Sequence, residues 1–154
     1  AILHFESDQK LGALTVKIKV LPEAETFGDK IIFGFMNYLH RFYNNVCGIG
    51  ASTGEFQMIR SSVFKDVGGF NEAFAAGEDY DLFNRISKKY TTLMVPSLTV
   101  YHTGRRAHTV GWPKLLSQWF MNFFLTTFFT AAKEVVANPA TRDTLRINAI
   151  NFFI

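Results

Sequence analysis

Three stretches of the chain carry residue types able to do chemistry. The first is Gly77-Glu78-Asp79-Tyr80-Asp81-Leu82, where two adjacent carboxylates stand at what reads as a helix start. Acidic residues in a first turn gain from the helix dipole, so capping alone accounts for them. Neighbouring positions lie about 100° apart around a helix, so Glu78 and Asp79 point different ways. One can then bond the scaffold or an acceptor while the other faces a cleft as general base, with Asp81 supporting the helix start. The second stretch is Val100-Tyr101-His102, at a strand end. Strand carboxyl ends open onto the ligand crevice of α/β sheets, and His102 there either ligates a metal or makes an ordinary hydrogen bond. The third is Gly104-Arg105-Arg106, with His108. Paired guanidinium forks on a glycine-preceded loop suit a diphosphate, though a solvated basic loop explains them equally well.

Other chemistries are absent from the pattern. There is no G-x-x-x-x-G-K, G-x-S-x-G or H-E-x-x-H, and Gly48-Ile49-Gly50-Ala51 has the wrong continuation for a dinucleotide fingerprint. Cys47 is the only cysteine, which excludes an internal disulfide framework and a Cys-rich zinc site. Flanked by apolar residues, it reads as buried and inert. Sixteen Lys+Arg against 13 Asp+Glu leave a net charge of +3, too small and dispersed for a nucleic-acid binder. Apolar residues make up 48% and charged residues 19%, so the 154-residue chain forms a core and has greasy surface left over. Neither end looks like a natural terminus: no initiator methionine or secretory leader opens the chain, and Phe152-Phe153-Ile154 stops inside an apolar stretch.

The elements that must position these residues follow from periodicity. Leu14, Val16, Ile18 and Val20 alternate with Thr15, Lys17 and Lys19, the pattern of a half-buried strand closed by Pro22. Thr26 and Asp29 fit a helix start, and Ile32, Phe35, Met36, Leu39, Phe42 and Tyr43 mark one face of a helix ended by Asn44-Asn45. A glycine-loosened stretch leads to a short strand ending near Arg60, and Ser61 caps a short helix that Gly68-Gly69 terminates. The helix opened by Glu78 runs to about Tyr90. Two short strands follow, broken by Pro96-Ser97, and Thr103 to Gly111 reads as a polar loop. Strands alternating with helices give an α/β or α+β class.

Beyond Pro113, residues Leu115 to Ala132 are uncharged and rich in Phe and Trp. Ser117, Gln118, Asn122 and three threonines interrupt the run, which suits a helix in the plane of a membrane surface better than one crossing it. Packing against its own domain or a partner is the other reading.

The motifs occur in a recognisable order: Thr53-Gly54-Glu55-Phe56, Ile59-Arg60, Val67-Gly68-Gly69-Phe70-Asn71-Glu72, Gly77-Glu78-Asp79-Tyr80-Asp81-Leu82, Arg85-Ile86, Val95-Pro96 and Val100-Tyr101-His102. This set resembles the C-terminal half of a family 2 glycosyltransferase with the GT-A fold, closely over residues 46–102 and loosely over 1–45. The resemblance implies an α/β fold: the acceptor-side half of a GT-A mixed sheet with flanking helices over 1–112, then an aromatic-rich helical segment over 113–154. It implies transfer of a sugar, with inversion, from a nucleotide-sugar donor to a sugar, lipid-linked or protein acceptor. Asp79 would be the general base, with Glu78 beside it, and Thr53, Gly54 and Glu55 would lie along sugar and acceptor. His102 would help hold a divalent cation, Mg²⁺ or Mn²⁺, and Arg105 and Arg106 would close over the diphosphate. The expected setting is cytoplasmic, at the cytoplasmic face of a membrane. The family's nucleotide-binding half and Asp-x-Asp motif are expected upstream of Ala1, because Glu6-Ser7-Asp8 has the wrong spacing. These 154 residues alone are therefore expected to be inactive. Without a Gln-x-x-Arg-Trp motif, single-sugar transfer is expected. The alternative is a non-catalytic binding or membrane-surface module that keeps the fold.

Overall fold

The computed structural model describes residues 1–72 and 77–135, with the side chains of 1–72, 77–122 and 124. Helix α1 (Ile2–Ser7) leads into strand β1 (Leu11–Val20), then helix α2 (Phe27–Phe42), which runs on into a π-helical turn over Tyr43–Cys47. Strand β2 (Met58–Ile59), helices α3 (Ser61–Asp66) and α4 (Glu78–Ser87), strand β3 (Thr91–His102) and helices α5 (Arg105–Val110) and α6 (Trp112–Val135) follow. The class is mixed α/β, a three-stranded sheet with flanking helices and a C-terminal helical segment, arranged as a partial GT-A-like fold.

The sheet has the order β2-β1-β3, with β1 antiparallel to β2 and parallel to β3. Alternation correctly places Leu14, Val16, Ile18 and Val20 inward, but β1 is covered on both faces: Thr15 is fully buried and its hydroxyl donates to the Phe56 carbonyl at 3.0 Å. Ala13 packs with Val63, Leu82, Phe83 and Ile86 of α3 and α4, while Leu14 and Val16 pack with Phe5 of α1. Ile18 and Val20 pack with Phe33 of α2, closed over by Trp112 and Trp119. The two strands expected around Pro96-Ser97 are one. The register jumps from Val16↔Val95 to Lys17↔Thr99, so Pro96, which has no N–H to give the ladder, sits in a bulge. The expected strand up to Arg60 shrinks to two residues, and the expected polar loop after Thr103 is helical as α5.

α2 departs most from expectation. Thr26 and Asp29 do form the capping box. The buried positions, however, are Asp29, Phe33, Asn37 and His40, continued by Asn44, and not the Phe35–Phe42 face. Of that face Phe35 and Phe42 are exposed, while Ile32, Met36, Leu39 and Tyr43 are half-buried. The inner face is polar because the sheet edge needs polar partners there: Asn37 accepts from Ile18 N–H at 2.9 Å and donates to Ile18 C=O at 2.8 Å. Asn45 does the same for Met94 on β3, at 2.8 and 2.9 Å. Each side chain stands in for a neighbouring strand. Cys47, expected to be buried, is exposed at the end of the π-helical turn. Ser61 opens α3 without capping it; Arg60 is the N-cap residue.

Candidate active site

The loop after the π-helical turn is held at both ends. Asn44 donates to the Ala51 carbonyl at 2.6 Å and accepts from Ala51 N–H at 3.3 Å, anchoring the loop to the π-helical turn. Gly50 lies so close to α4 that a Cβ would stand 1.9 Å from the Phe83 carbonyl oxygen, so only glycine lets the loop approach. Further along, Gln57 Nε2 donates to the Asp79 carbonyl at 3.2 Å. The segment thus crosses the first turn of α4.

α4 begins at Gly77, whose φ of 80° is left-handed and favours glycine. Its first turn carries Glu78, Asp79 and Asp81, and the three carboxylates have three fates. Asp81 is buried, and Arg85 Nε donates to its Oδ2 at 2.8 Å. Arg85 also donates to the carbonyls of Val67 and Gly69 at 2.6 and 2.7 Å, so this pair ties the glycine turn to α4. Glu78 is exposed. Asp79 lies between them: its Oδ1 accepts from Tyr80 N–H at 2.7 Å, and its Oδ2 sits 3.5 Å from where a Gly54 Cβ would be. A side chain at position 54 would occupy the space in front of that oxygen.

Electrostatics set Asp79 apart. Burial pushes its carboxyl above the ordinary aspartate value, the bond from Tyr80 N–H opposes that, and the charges of Glu78 and Glu55 add to the rise. His40 shares this environment. It is only 7% exposed, and burial drives its imidazole down to about 4, against the opposing pull of Glu55. It is neutral near pH 7, and its Nδ1 has no hydrogen-bond partner. Residue-type reasoning missed both His40 and Gln57. The signal for His40 was the spacing of Asp29, Phe33, Asn37, His40 and Asn44, a mostly polar stripe through an apolar helix. Thr53 is half-buried, and its hydroxyl also lacks a partner. On the far side of Gln57 a shallow cleft of about 400 Å³ is lined by Phe64, Phe70 and Lys65.

The structure therefore gathers Thr53, Gly54, Glu55 and Asp79, with Glu78 at the rim. His102, Arg105 and Arg106 form a second group, joined to the first by no hydrogen bond or ion pair among the described residues. His102 Nδ1 accepts from Gly104 N–H at 3.3 Å, its ring meets Phe33 edge-on at 4.8 Å, and its Nε2 is buried without a partner. Arg105 and Arg106 are exposed on α5, and Arg106 donates to Gln118 at 3.2 Å. His108, read with the arginines, turns away from them: its Nε2 lies 2.8 Å from Oδ2 of the fully buried Asp29. Burial would raise the Asp29 carboxyl, but His108 and Thr26 together bring it below its ordinary value. No group of three His, Cys, Asp or Glu able to hold a metal occurs among the described residues. Toward a cation His102 offers a single nitrogen, the buried Nε2. Its Nε2 has no competing partner, and freeing that nitrogen needs only a tautomer change that gives up the long Gly104 contact.

Residues 15–123 match the family profile described as "Glycosyltransferase like family 2". No curated protein and no solved structure matches the chain.

Proposed function

Since the chain belongs to the glycosyltransferase-like family 2, we propose that it serves an inverting sugar transfer from a nucleotide-sugar donor, with Asp79 as general base. The acceptor hydroxyl lies in the space that Gly54 leaves open before Asp79 Oδ2. As its oxygen bonds to the anomeric carbon, its proton passes to Asp79, the bond from that carbon to the diphosphate breaks, and the electron pair leaves with the phosphate oxygen. A raised carboxylate pKa suits this task, because a base poised nearer neutrality takes the proton more readily. Glu78 and Glu55 sustain that rise, and Thr53 offers its unpartnered hydroxyl to donor or acceptor. Arg105 and Arg106 meet the leaving diphosphate, which requires the α5 end and the α4 end to face one donor. A divalent cation, held on this chain by His102, neutralises diphosphate charge when bound. The acceptor is a sugar, lipid-linked or protein hydroxyl presented at a membrane surface, which α6 meets through its exposed Leu116, Phe120 and Phe124. No helix among the described residues is long and apolar enough to cross a membrane.

The observation that carries this reading is the Asp79 carboxyl, drawn out of water and facing the gap at Gly54. Asp79→Asn in the full-length protein is expected to lower transfer by roughly 10²–10⁴-fold with unchanged circular dichroism. Near-normal transfer by the folded variant would remove Asp79 from the chemistry and favour a non-catalytic module.

A further inference from the structure

α2 carries five of its apolar residues on the side away from the sheet. Phe27, Ile31, Phe35, Tyr38 and Phe42 follow one another at spacings of three and four, and each is between 41% and 79% exposed. At 1.5 Å per residue they form a ridge about 22 Å long. The opposite face already packs on the sheet through Phe33, Asn37 and His40, so burying the ridge would require a partner. Aromatic side chains flanked by cations are the composition of a helix lying in a membrane interface.

The surrounding charge identifies that partner. The only carboxylate of α2, Asp29, is fully buried, whereas Lys30 and Arg41 are exposed. Glu25, half-buried, lies 3.7 Å from the exposed Lys30 and offsets part of its charge. Trp112 packs on Phe33 and against Gly28, so α6 starts beside the first turns of α2. No Asp or Glu occurs between Leu82 and Lys133, a stretch that holds Arg105, Arg106 and Lys114. A protein patch would have to supply both an apolar trough and complementary acids. A bilayer with anionic headgroups supplies both at once.

We infer that the outer face of α2 is a docking surface for an anionic lipid membrane, with Phe27, Ile31, Phe35, Tyr38 and Phe42 entering the interface. This rests on the membrane reading of α6 only for the kind of partner, and not on the sugar chemistry. The test is flotation of the full-length protein with phosphatidylcholine vesicles, with and without phosphatidylglycerol. The wild type should float with the anionic vesicles and release as salt rises. The exposed double variant Ile31→Ser/Phe35→Ser should bind at least tenfold more weakly with unchanged circular dichroism. Arg41→Glu, which leaves the apolar ridge intact, should lose several-fold on anionic vesicles alone. Flotation of either folded variant at the wild-type level overturns the inference, as does a wild type that binds neither vesicle. If Phe120→Ser alone abolishes flotation while the α2 variants retain it, α6 is the membrane element and α2 is not. A wild-type dimer in sedimentation that the double variant dissolves would assign the ridge to a second copy of the chain instead.

Discussion

Asp79 is the residue on which stability and function oppose each other. Its raised carboxyl binds a proton more tightly in the folded chain than in the unfolded one, so its contribution to stability falls as pH rises through the folded value. Asp79→Asn is therefore expected to melt higher than the wild type at pH 7, by about 2–4 °C for each kcal/mol recovered, while transfer is lost. A lower melting temperature would show that the carboxylate is a structural cap. Transfer itself should rise with pH across a range above the usual aspartate value, since only the ionised carboxyl accepts the proton. His40 carries the opposite sign. Its folded value near 4 lies below the ordinary 6.5, so its stabilisation is complete above 6.5 and is lost as pH falls toward 4. The loss amounts to about 3 kcal/mol at most. Denaturant melts between pH 7 and 4 should show that slope, and His40→Gln should flatten it.

Among the elements, the loop from Gly48 to Gln57 and the start of α4 act as one unit, because Gly50 seats the loop on the Phe83 carbonyl. Gly50→Ala has no side-chain end to move aside and must displace backbone. A cost of roughly 1–3 kcal/mol is expected by chemical denaturation, with transfer falling as Gly54 and Thr53 shift from Asp79. On α2, Asn37→Leu would leave the N–H and C=O of Ile18 buried and unpaired, costing on the order of 1–3 kcal/mol. These positions also show what periodicity can and cannot read. It finds a helix over about residues 29–43, yet it assigns the inner face to the apolar stripe. Its buried Asn37 is needed because β2 covers only Ala13 and Leu14 of β1, leaving an edge at Ile18 that this side chain closes. The arginine loop fails similarly. Gly104, a poor residue inside a helix, serves as the left-handed N-cap of α5 at φ 66°, and local composition does not distinguish those roles.

Across the whole molecule, two groups that the sequence reading assigned to one donor, the carboxylates around Asp79 and the basic α5 end with His102, stand on different elements. Calorimetry of nucleotide-sugar binding to the full-length protein should show tighter binding with Mn²⁺ or Mg²⁺ than in chelator, and His102→Ala should shrink that difference. Equal affinities in both conditions would take the cation, and His102 with it, out of the reading. Removing residues 113–154 is a poor probe of α6, because Leu115 is buried, Trp119 packs on Phe33 and the deletion would open the core. Single changes at exposed positions such as Phe120 are the sounder test.

The sequence by itself determined the alternating strand, the acidic helix start at Gly77 and the family order of motifs, because each is a local signal spread over a few neighbouring residues. It also pointed to Asp79 over Glu78 through that resemblance. Tertiary structure alone decided that Asp79 is half-buried against Gly54, that His40 lies in the same field, that His108 pairs with Asp29 and that the apolar ridge of α2 faces outward. Each of these depends on two segments distant along the chain meeting in space, and burial, charge coupling and sheet-edge closure belong to such meetings and not to any one stretch of residues.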